Sequence, residues 1–318
     1  MAITIGLDFG EANTGLYVRG QGIVLREPTV AAVDTQGNVL AVGSEALLIH
    51  GRSPGTVTLR SPMRAGEIVD FNLTAEYLDR ILEIAVPRQR KRAVLAVKCG
   101  LGGSFASTLK EALDDCRIGT EAVVDTPAAA FHGLDEQPVE SLRGGILICD
   151  IGAGGIEVSY LREGEILRTE LFSGGGGESD RILCAYLRRR YGLAVNFRTA
   201  RALKHKVSLT EDGSFEALGL DGSTGLPRRL TLKSEELLSC LHAQTDAAAE
   251  CITTVLANLP TQGLEKSVCD GILLIGGGAA LPGLGEYLSD LLERPVNVVP
   301  DPGDCVLRGL GRMIEGGK

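Results

Sequence analysis

Two segments of this chain share one pattern of apolar and polar positions. Residues 3–18 and 145–158 each consist of an apolar run, an acid followed two positions later by glycine, a turn of small residues and a second apolar run. The acids, Asp8 and Asp150, are 142 residues apart (150 − 8), and the same offset holds through the next apolar run. A repeat at a fixed offset indicates internal duplication. We therefore predict two similar halves, each opening with a β-hairpin that ends at a glycine-rich turn.

Strand and helix periodicities alternate after each of these hairpins. Further strands are predicted at 22–25, 29–33, 39–42, 93–97 and 122–124. Apolar residues recur at helical spacing in 74–86, 107–115, 199–207 and 234–259, and further helices begin at 126 and end near 191 and 292. Such alternation is typical of an α/β fold.

Less regular stretches interrupt both halves of this α/β pattern. We expect a first half at 1–143 with a small inserted subdomain at about 34–70, and a second half at 144–318 with one at about 178–233. The C-terminal helix is expected to pack back on the first half.

The glycine-rich turns suggest phosphate chemistry. Glycine permits positive φ angles and lets backbone N–H groups approach an anion closely. An acid at the end of the preceding strand can hold a divalent cation, usually through water. A third strand-to-glycine turn follows at 270–284, and four glycines at 174–177 precede a predicted helix. That run is interpreted either as an anion site at a helix N-terminus or as a flexible loop.

Composition narrows the function classes. The chain has 318 residues, 44% of them hydrophobic, and 32 basic against 41 acidic residues give a net charge of −9, which argues against a nucleic-acid partner. The eight cysteines form no C-x-x-C pair, as in reduced core residues of a cytoplasmic protein. No apolar run reaches membrane-spanning length and no signal peptide is recognised, so we expect a cytoplasmic protein.

One cluster of positive charge stands out, formed by Arg88, Arg90, Lys91 and Arg92. It is interpreted either as a solvated turn between a helix and a strand, or as a surface attracted to anionic lipid. Each basic side chain near such a surface is worth about 1 kcal/mol. The second interpretation predicts peripheral binding to the inner membrane.

Several segments resemble MreB, the family of bacterial actins. The resemblance covers nearly the whole chain and is carried by the segments 5–14, 20–28, 39–45, 51–55, 150–154 and 274–280. It implies the duplicated actin-like, ribonuclease H-like fold, with four subdomains and a cleft between the halves that binds ATP or ADP with Mg²⁺. It also implies membrane-associated filaments of the protein itself, which direct cell shape and cell-wall synthesis together with cell-wall elongation proteins.

The resemblance assigns candidate roles residue by residue. The metal-side acids are Asp8 and Asp150, and a ribose-side lysine is Lys204. The first phosphate turn is Gly10, Glu11, Ala12 and Asn13; the second is Gly152, Ala153, Gly154 and Gly155; the adenosine turn is Gly276, Gly277, Gly278 and Ala279. Thr126, with Asp125 before it, occupies the position of the glutamate that orients the attacking water.

Two departures from the family pattern bear on catalysis. Glu11 replaces a threonine or serine that donates a hydroxyl to the phosphates, and Thr126 replaces the water-orienting glutamate. Both changes oppose phosphoryl transfer, which depends on positioning and charge neutralisation. We therefore expect a slow ATPase at most. The alternatives are an actin-fold scaffold that binds no nucleotide and modulates another filament, and a small-molecule kinase of the same superfamily.

Overall fold

The computed structural model describes residues 2–52, 55–87, 89–134, 145–259 and 271–316. The chain divides into two compact units, Met1–Val139 with Asp304–Lys318, and Glu140–Gly303. We call them unit 1 and unit 2. In the described part of the chain, no helix is long and apolar enough to cross a membrane.

Unit 1 contains most of the short strands. In chain order its elements are β1 (Ile3–Phe9), β2 (Asn13–Val18), β3 (Gly22–Pro28), β4 (Ala31–Val33), β5 (Val39–Val42), α1 (Gly43–Arg52), β6 (Thr58–Arg60), β7 (Met63–Arg64), β8 (Glu67–Ile68), α2 (Phe71–Ala85), β9 (Lys91–Val97), α3 (Gly102–Asp115), β10 (Gly119–Asp125) and α4 (Thr126–Gly133). The main sheet has the order β10-β9-β1-β2-β3. A three-stranded sheet, β5-β4-β6, and the hairpin β7–β8 are separate from it.

Unit 2 repeats the main sheet of unit 1. Its elements are β11 (Ile146–Ile151), β12 (Gly155–Arg162), β13 (Glu165–Ser173), α5 (Gly176–Tyr191), β14 (Leu193–Ala194), α6 (Phe197–Lys204), β15 (Ser214–Asp221), β16 (Pro227–Lys233), α7 (Ser234–Ala257), β17 (Gly271–Ile275), α8 (Leu284–Leu292) and β18 (Val296–Val298). The sheet order is β13-β12-β11-β17-β18, and a smaller sheet has the order β14-β15-β16.

The two main sheets have the same topology. In each, the first three strands pair antiparallel as a meander, and two later strands add in parallel beside the first. Buried apolar residues of the central strands form the core of each unit, as Leu7 and Leu95 do in unit 1 and Leu147 and Leu274 in unit 2. The duplication inferred from the sequence thus corresponds to a repeated sheet.

The last helix, α9 (Cys305–Glu315), packs against α4 and β1 in unit 1. Two glycines allow the backbones of α4 and α9 to touch. A Cβ on Gly309 would lie 1.7 Å from the carbonyl oxygen of Ala129, and one on Gly133 would lie 1.9 Å from that of Cys305. Neither position can hold a side chain unless the helices move apart.

Several element bounds differ from the expected ones for local reasons. The helix expected at 74–86 begins at Phe71, because the carboxylate of Asp70 accepts a hydrogen bond from the backbone N–H of Leu73 (3.0 Å) and caps the helix there. The strand expected at 93–97 begins at Lys91, which pairs with Ile3 in the parallel ladder of β1 and β9.

Candidate functional site

The first glycine turn, in unit 1, joins β1 to β2 and is held by Thr29. The backbone N–H of Gly10 donates to the carbonyl of Asn13 (3.1 Å). The Thr29 hydroxyl donates to the carbonyl of Gly10 (2.6 Å), and the Thr29 N–H donates to the carbonyl of Ala12 (3.1 Å). Asp8 lies on β1 just before this turn, half-buried and opposite Gly15 of β2. The turn is therefore fixed from one side by a single threonine.

Thr29 itself is held by two other buried hydroxyl groups, those of Thr14 and Tyr77. The Thr29 and Thr14 hydroxyls are 2.9 Å apart, and the Tyr77 hydroxyl lies 3.1 Å from that of Thr14 and 3.0 Å from the carbonyl of Pro28. Burial raises the pKa of Tyr77 above its ordinary value, so its hydroxyl stays protonated and can donate. Sequence reasoning missed these residues, because threonines in strands and a tyrosine in an amphipathic helix are ordinary core residues.

Glu11, in the same turn, has its carboxylate bound to the inserted part of unit 1. Glu11 Oε2 accepts a hydrogen bond of 2.8 Å from the backbone N–H of Gly66, in the turn between β7 and β8. From the sequence alone, an acid at this position is expected to oppose phosphoryl transfer. The structure instead gives this carboxylate a partner within its own unit.

The second glycine turn, in unit 2, is packed against the four-glycine run. The Gly152 N–H donates to the carbonyl of Gly155 (3.0 Å), which closes the turn between β11 and β12. From the run, the Gly176 N–H donates to the carbonyl of Gly152 (2.9 Å) and the Gly177 N–H to that of Ala153 (3.0 Å). Gly154, at the tip of the turn, is half-buried.

This contact explains the glycines at positions 175 and 177. A Cβ on Gly175 would lie 2.2 Å from the carbonyl oxygen of Gly152, and one on Gly177 would lie 2.9 Å from that of Ala153. Because Gly176 and Gly177 already donate to carbonyls, their N–H groups are committed to the turn. The run is thus a close backbone contact, and neither interpretation offered by the sequence, an anion site or a flexible loop, describes it.

The third glycine turn, Gly276–Ala279, lies beside Asp150. A Cβ on Gly276 would lie 2.1 Å from Asp150 Oδ1, so only glycine leaves room for this carboxylate. Asp150 is 9% exposed and stands opposite the buried Glu157 in the ladder of β11 and β12. Gly277 is exposed, whereas Gly278 and Ala279 are buried. Unit 2 therefore brings Asp150 against the turn that the resemblance assigns to adenosine.

Gln244, on α7, links this third turn to the start of α5. Its side-chain N–H donates to the carbonyl of Gly278 (3.0 Å), and a Cβ on Gly176 would lie 3.4 Å from its side-chain oxygen. Gln244 is 2% exposed, and its oxygen has no hydrogen-bond partner among the residues that the structure describes. A lone glutamine within a long amphipathic helix was the only sequence signal for this residue, and sequence reasoning missed it.

Lys204 is engaged inside unit 2. Its ammonium group donates to the carbonyl of Gly176 (2.6 Å) and pairs with Asp180 Oδ1 (2.8 Å), while Asp180 Oδ2 accepts from Arg201 Nε (2.9 Å). Lys204 is 2% exposed, and burial lowers its pKa from the ordinary value even though Asp180 opposes that shift. In this structure the ammonium group joins the end of α6 to the first turn of α5.

Asp125 and Thr126 lie where β10 meets α4. Asp125 is exposed and occupies the N-cap position, and Thr126 is 6% exposed at the first position of the helix. A buried hydroxyl offers no carboxylate to orient an attacking water. The weak hydrolysis expected from the sequence stays a prediction.

No preformed metal cage is found in the described residues, where no three His, Cys, Asp or Glu side chains group as metal ligands. Mg²⁺ usually keeps several waters and binds through one or two carboxylates plus the phosphates of its nucleotide. Asp150, nine-tenths buried and fitted against Gly276, meets the requirement for such a carboxylate in unit 2.

The basic cluster presents fewer charges than the sequence suggests. Arg90 and Arg92 are exposed, but Lys91 is 8% exposed and its ammonium group lies 3.4 Å from a Glu83 carboxylate oxygen. The prediction that Lys91 contributes to a charged surface is therefore wrong, because the side chain of this first residue of β9 is buried. Arg88 lies outside the described residues.

Comparison with known sequences gives matches along the whole chain. A family model described as MreB/Mbl protein matches residues 2–318. The cell shape-determining protein Mbl of Bacillus cereus is 31% identical over 319 residues, which cover 98% of this chain and 95% of that protein. The cell shape-determining protein MreB of Escherichia coli K12 is 31% identical over 324 residues, covering 98% of this chain and 93% of that protein.

Comparison with solved structures gives the same fold. MreB5 of Spiroplasma citri bound to ADP has a TM-score of 0.85 and 26% identity, covering 100% of this chain and 99% of that chain. The AMPPNP-bound form of that protein has the same TM-score and identity. The MamK double helical filament has a TM-score of 0.82 at 22% identity, with 99% of both chains covered, and supports the fold alone. The predicted actin-like fold class is confirmed.

Proposed function

Because this chain belongs to the MreB/Mbl family of bacterial actins, we propose that it is a cell shape-determining protein that binds an adenine nucleotide and assembles with copies of itself into filaments. The whole-length match to that family carries the proposal. Two relatives, Mbl of Bacillus cereus and MreB of Escherichia coli, have names that state a role in cell shape. Cell-wall elongation proteins are the corresponding partners.

Nucleotide binding is supported by the relative of known structure and by the turns of unit 2. MreB5 of Spiroplasma citri, 26% identical to this chain, has been solved with ADP and with AMPPNP. In this chain the backbone of Gly152–Gly155 would hold phosphate, Gly276–Ala279 would contact adenosine, and Asp150 would hold Mg²⁺ through water. A bound nucleotide would supply the phosphate charge that Mg²⁺ needs.

Hydrolysis of that nucleotide is expected to be slow or absent. Thr126 offers a nearly buried hydroxyl at the start of α4 where the family has a glutamate. Without a carboxylate to orient water, little remains to accelerate phosphoryl transfer beyond positioning by the turns. Phosphate release during assembly would measure this directly.

A second candidate function is an actin-fold scaffold that binds no nucleotide. It is favoured by Lys204, whose ammonium group is bound to Gly176 and Asp180 inside unit 2 and is not offered to a ligand. Such a chain would still assemble, alone or with another filament. Nucleotide affinity separates the two functions.

The deciding experiment is calorimetric titration of the purified protein with ADP and AMPPNP, with Mg²⁺ and with a chelator. We expect binding that is strengthened by Mg²⁺, and we expect Asp150→Asn to remove the Mg²⁺-dependent gain of about tenfold or more while leaving the chelated affinity nearly unchanged. A thermal melt of the variant checks its folding. If the wild-type protein binds neither nucleotide, the scaffold function stands in its place.

Peripheral membrane binding would depend on Arg88, Arg90 and Arg92. At about 1 kcal/mol for each basic residue near an anionic surface, three give about 3 kcal/mol, which is weak for one subunit and useful only when a filament multiplies it. Sedimentation with anionic vesicles should therefore require assembled protein, weaken with salt, and be lost when these three arginines become glutamine. Salt-resistant binding to neutral vesicles would contradict this mode.

A further inference from the structure

The contact between Glu11 and Gly66 joins two parts of unit 1 that are far apart in sequence. Glu11 lies in the first glycine turn, and Gly66 lies in the two-residue turn of the hairpin β7–β8, 55 residues later. The ladder of this hairpin pairs Arg64 with Glu67 and Met63 with Ile68. Gly66 therefore belongs to the turn that connects the two strands, and its N–H can donate to a group outside the hairpin.

The hairpin β7–β8 is short and its turn is strained, so a contact from outside the hairpin can stabilise it. Each strand has only two residues, which is too short for independent stability. Its turn residues, Ala65 and Gly66, have φ angles of 52° and 81°. This is the combination of a type I′ turn, which favours asparagine followed by glycine, and alanine is strained at the first position. A hydrogen bond to a carboxylate is among the stronger ones available to offset that strain.

We propose that Glu11 is a positioning residue whose carboxylate fastens the hairpin β7–β8 to the first glycine turn. The same hydrogen bond commits the negative charge of Glu11 to the Gly66 N–H. The turn can therefore carry an acid where the family has a hydroxyl without presenting that acid to a phosphate. This second consequence rests on the proposed nucleotide binding, whereas the fastening does not.

The fastening is tested by hydrogen exchange at the Gly66 amide, read by NMR on the full chain without nucleotide. We expect exchange to be about tenfold or more faster in Glu11→Ala than in the wild-type protein, as for loss of a hydrogen bond to a charged group. Glu11→Gln, which keeps an acceptor of the same length, should be intermediate. Glu11→Asp, shorter by one methylene, should resemble the alanine variant.

A matched control separates this contact from the stability of the hairpin. Ala65→Asn suits the type I′ turn and should slow exchange at the strand amides of 63–64 and 67–68. Combined with Glu11→Ala, it should leave the Gly66 amide exposed to exchange. Unchanged exchange at Gly66 in Glu11→Ala, or full recovery of its protection by Ala65→Asn, would overturn the proposal.

The charge is tested by nucleotide affinity. Because the carboxylate is committed to Gly66, we expect Glu11→Gln to change the ratio of AMPPNP to ADP affinity by less than about threefold. An acid facing the terminal phosphate would instead be costly at short range, and its neutralisation would raise that ratio by about tenfold or more; this result would overturn the assignment. If the wild-type protein binds neither nucleotide, the proposed function fails, and exchange at Gly66 still decides whether Glu11 fastens the hairpin.

Discussion

The two glycine turns descend from one repeated sequence pattern but are held in place by different groups. In unit 1, the hydroxyl of Thr29 holds the carbonyl of Gly10, beside one backbone hydrogen bond from the Thr29 N–H to Ala12. In unit 2, the corresponding support comes from the backbone: the N–H of Gly176 holds the carbonyl of Gly152, and Gly175 lies in direct contact with the turn. The duplication has thus kept the path of the turn while its support has changed. A turn held in part by a side chain is weakened when that side chain is trimmed, whereas a turn held by close backbone contact is disrupted when atoms are added.

The largest effect that follows from this difference is expected at Gly175. In Gly175→Ala the new Cβ would lie 2.2 Å from the carbonyl oxygen of Gly152, so the turn and the start of α5 must separate. We expect a loss of about 3 kcal/mol or more in the free energy of unfolding. Urea denaturation monitored by far-ultraviolet circular dichroism would measure this loss.

Gly174 provides the matched control for that prediction. Its φ is 84°, and apart from its chain neighbours no atom of the described residues would lie within 4 Å of a Cβ added there. Gly174→Ala should therefore cost only the strain of a left-handed alanine, about 1 kcal/mol. Equal losses in the two variants would show that close contact does not distinguish the two turns.

Much of the fold could be predicted because it depends on periodicity. Apolar runs and turn residues indicate the hairpins at 3–18 and 145–158, and the constant offset indicates the repeat that the structure shows as two sheets of equivalent strand order. The expected start of α2, residue 74, is later than the observed start because the cap, Asp70, follows an irregular segment and is recognised only by its hydrogen bond from Leu73. Lys91 belongs to β9 because it pairs with Ile3, which lies 88 residues earlier (91 − 3), and local sequence does not indicate that pairing.

The candidate site was less accessible to sequence reasoning than the fold. Glycine runs mark places where the backbone needs room, but they do not tell what fills that room. In the run at 174–177, the N–H groups of Gly176 and Gly177 donate to backbone carbonyls of the second glycine turn. The supports of the turns, Thr29, Tyr77 and Gln244, were missed because their roles are set by residues far along the chain. The acid at Glu11 was noticed, whereas its partner Gly66 could be found only in the folded chain.

A smaller effect than that of Gly175→Ala is expected at Thr29, in the side-chain-supported turn. Thr29→Val keeps the shape of this 2% exposed side chain but removes the hydroxyl that binds Gly10, and should cost about 1–2 kcal/mol in the free energy of unfolding. Thr29→Ser keeps the hydroxyl and loses a methyl group, and should preserve protection of the turn amides at 10–13 in hydrogen exchange. If valine protects those amides as well as serine does, the hydroxyl is not the support of this turn.

The smallest effect is expected at His205, whose lowered pKa predicts that the stability of unit 2 depends on pH. His205 follows α6, and its pKa is lowered chiefly by burial and then by the positive charge of Lys204, while a hydrogen bond with the Ala280 backbone and the charge of Asp180 oppose the shift. Below the ordinary pKa of histidine, 6.5, the unfolded chain therefore binds a proton at this residue more readily than the folded chain does. Unfolding then takes up protons, and stability falls as the pH falls.

This dependence is tested by His205→Gln, which should reduce the loss of stability between about pH 7 and pH 5. Thermal melts across that range measure it, and His132→Gln, on α4 of unit 1, serves as the comparison. Because Ala280 ends the short 3-10 helix that contains Gly277–Ala279, a reduced slope in the His205 variant alone would place a proton-dependent contribution beside the third glycine turn. An unchanged slope would show that the supports of unit 2 are independent of protonation at His205, and the contrast between the two units would then be one of packing alone.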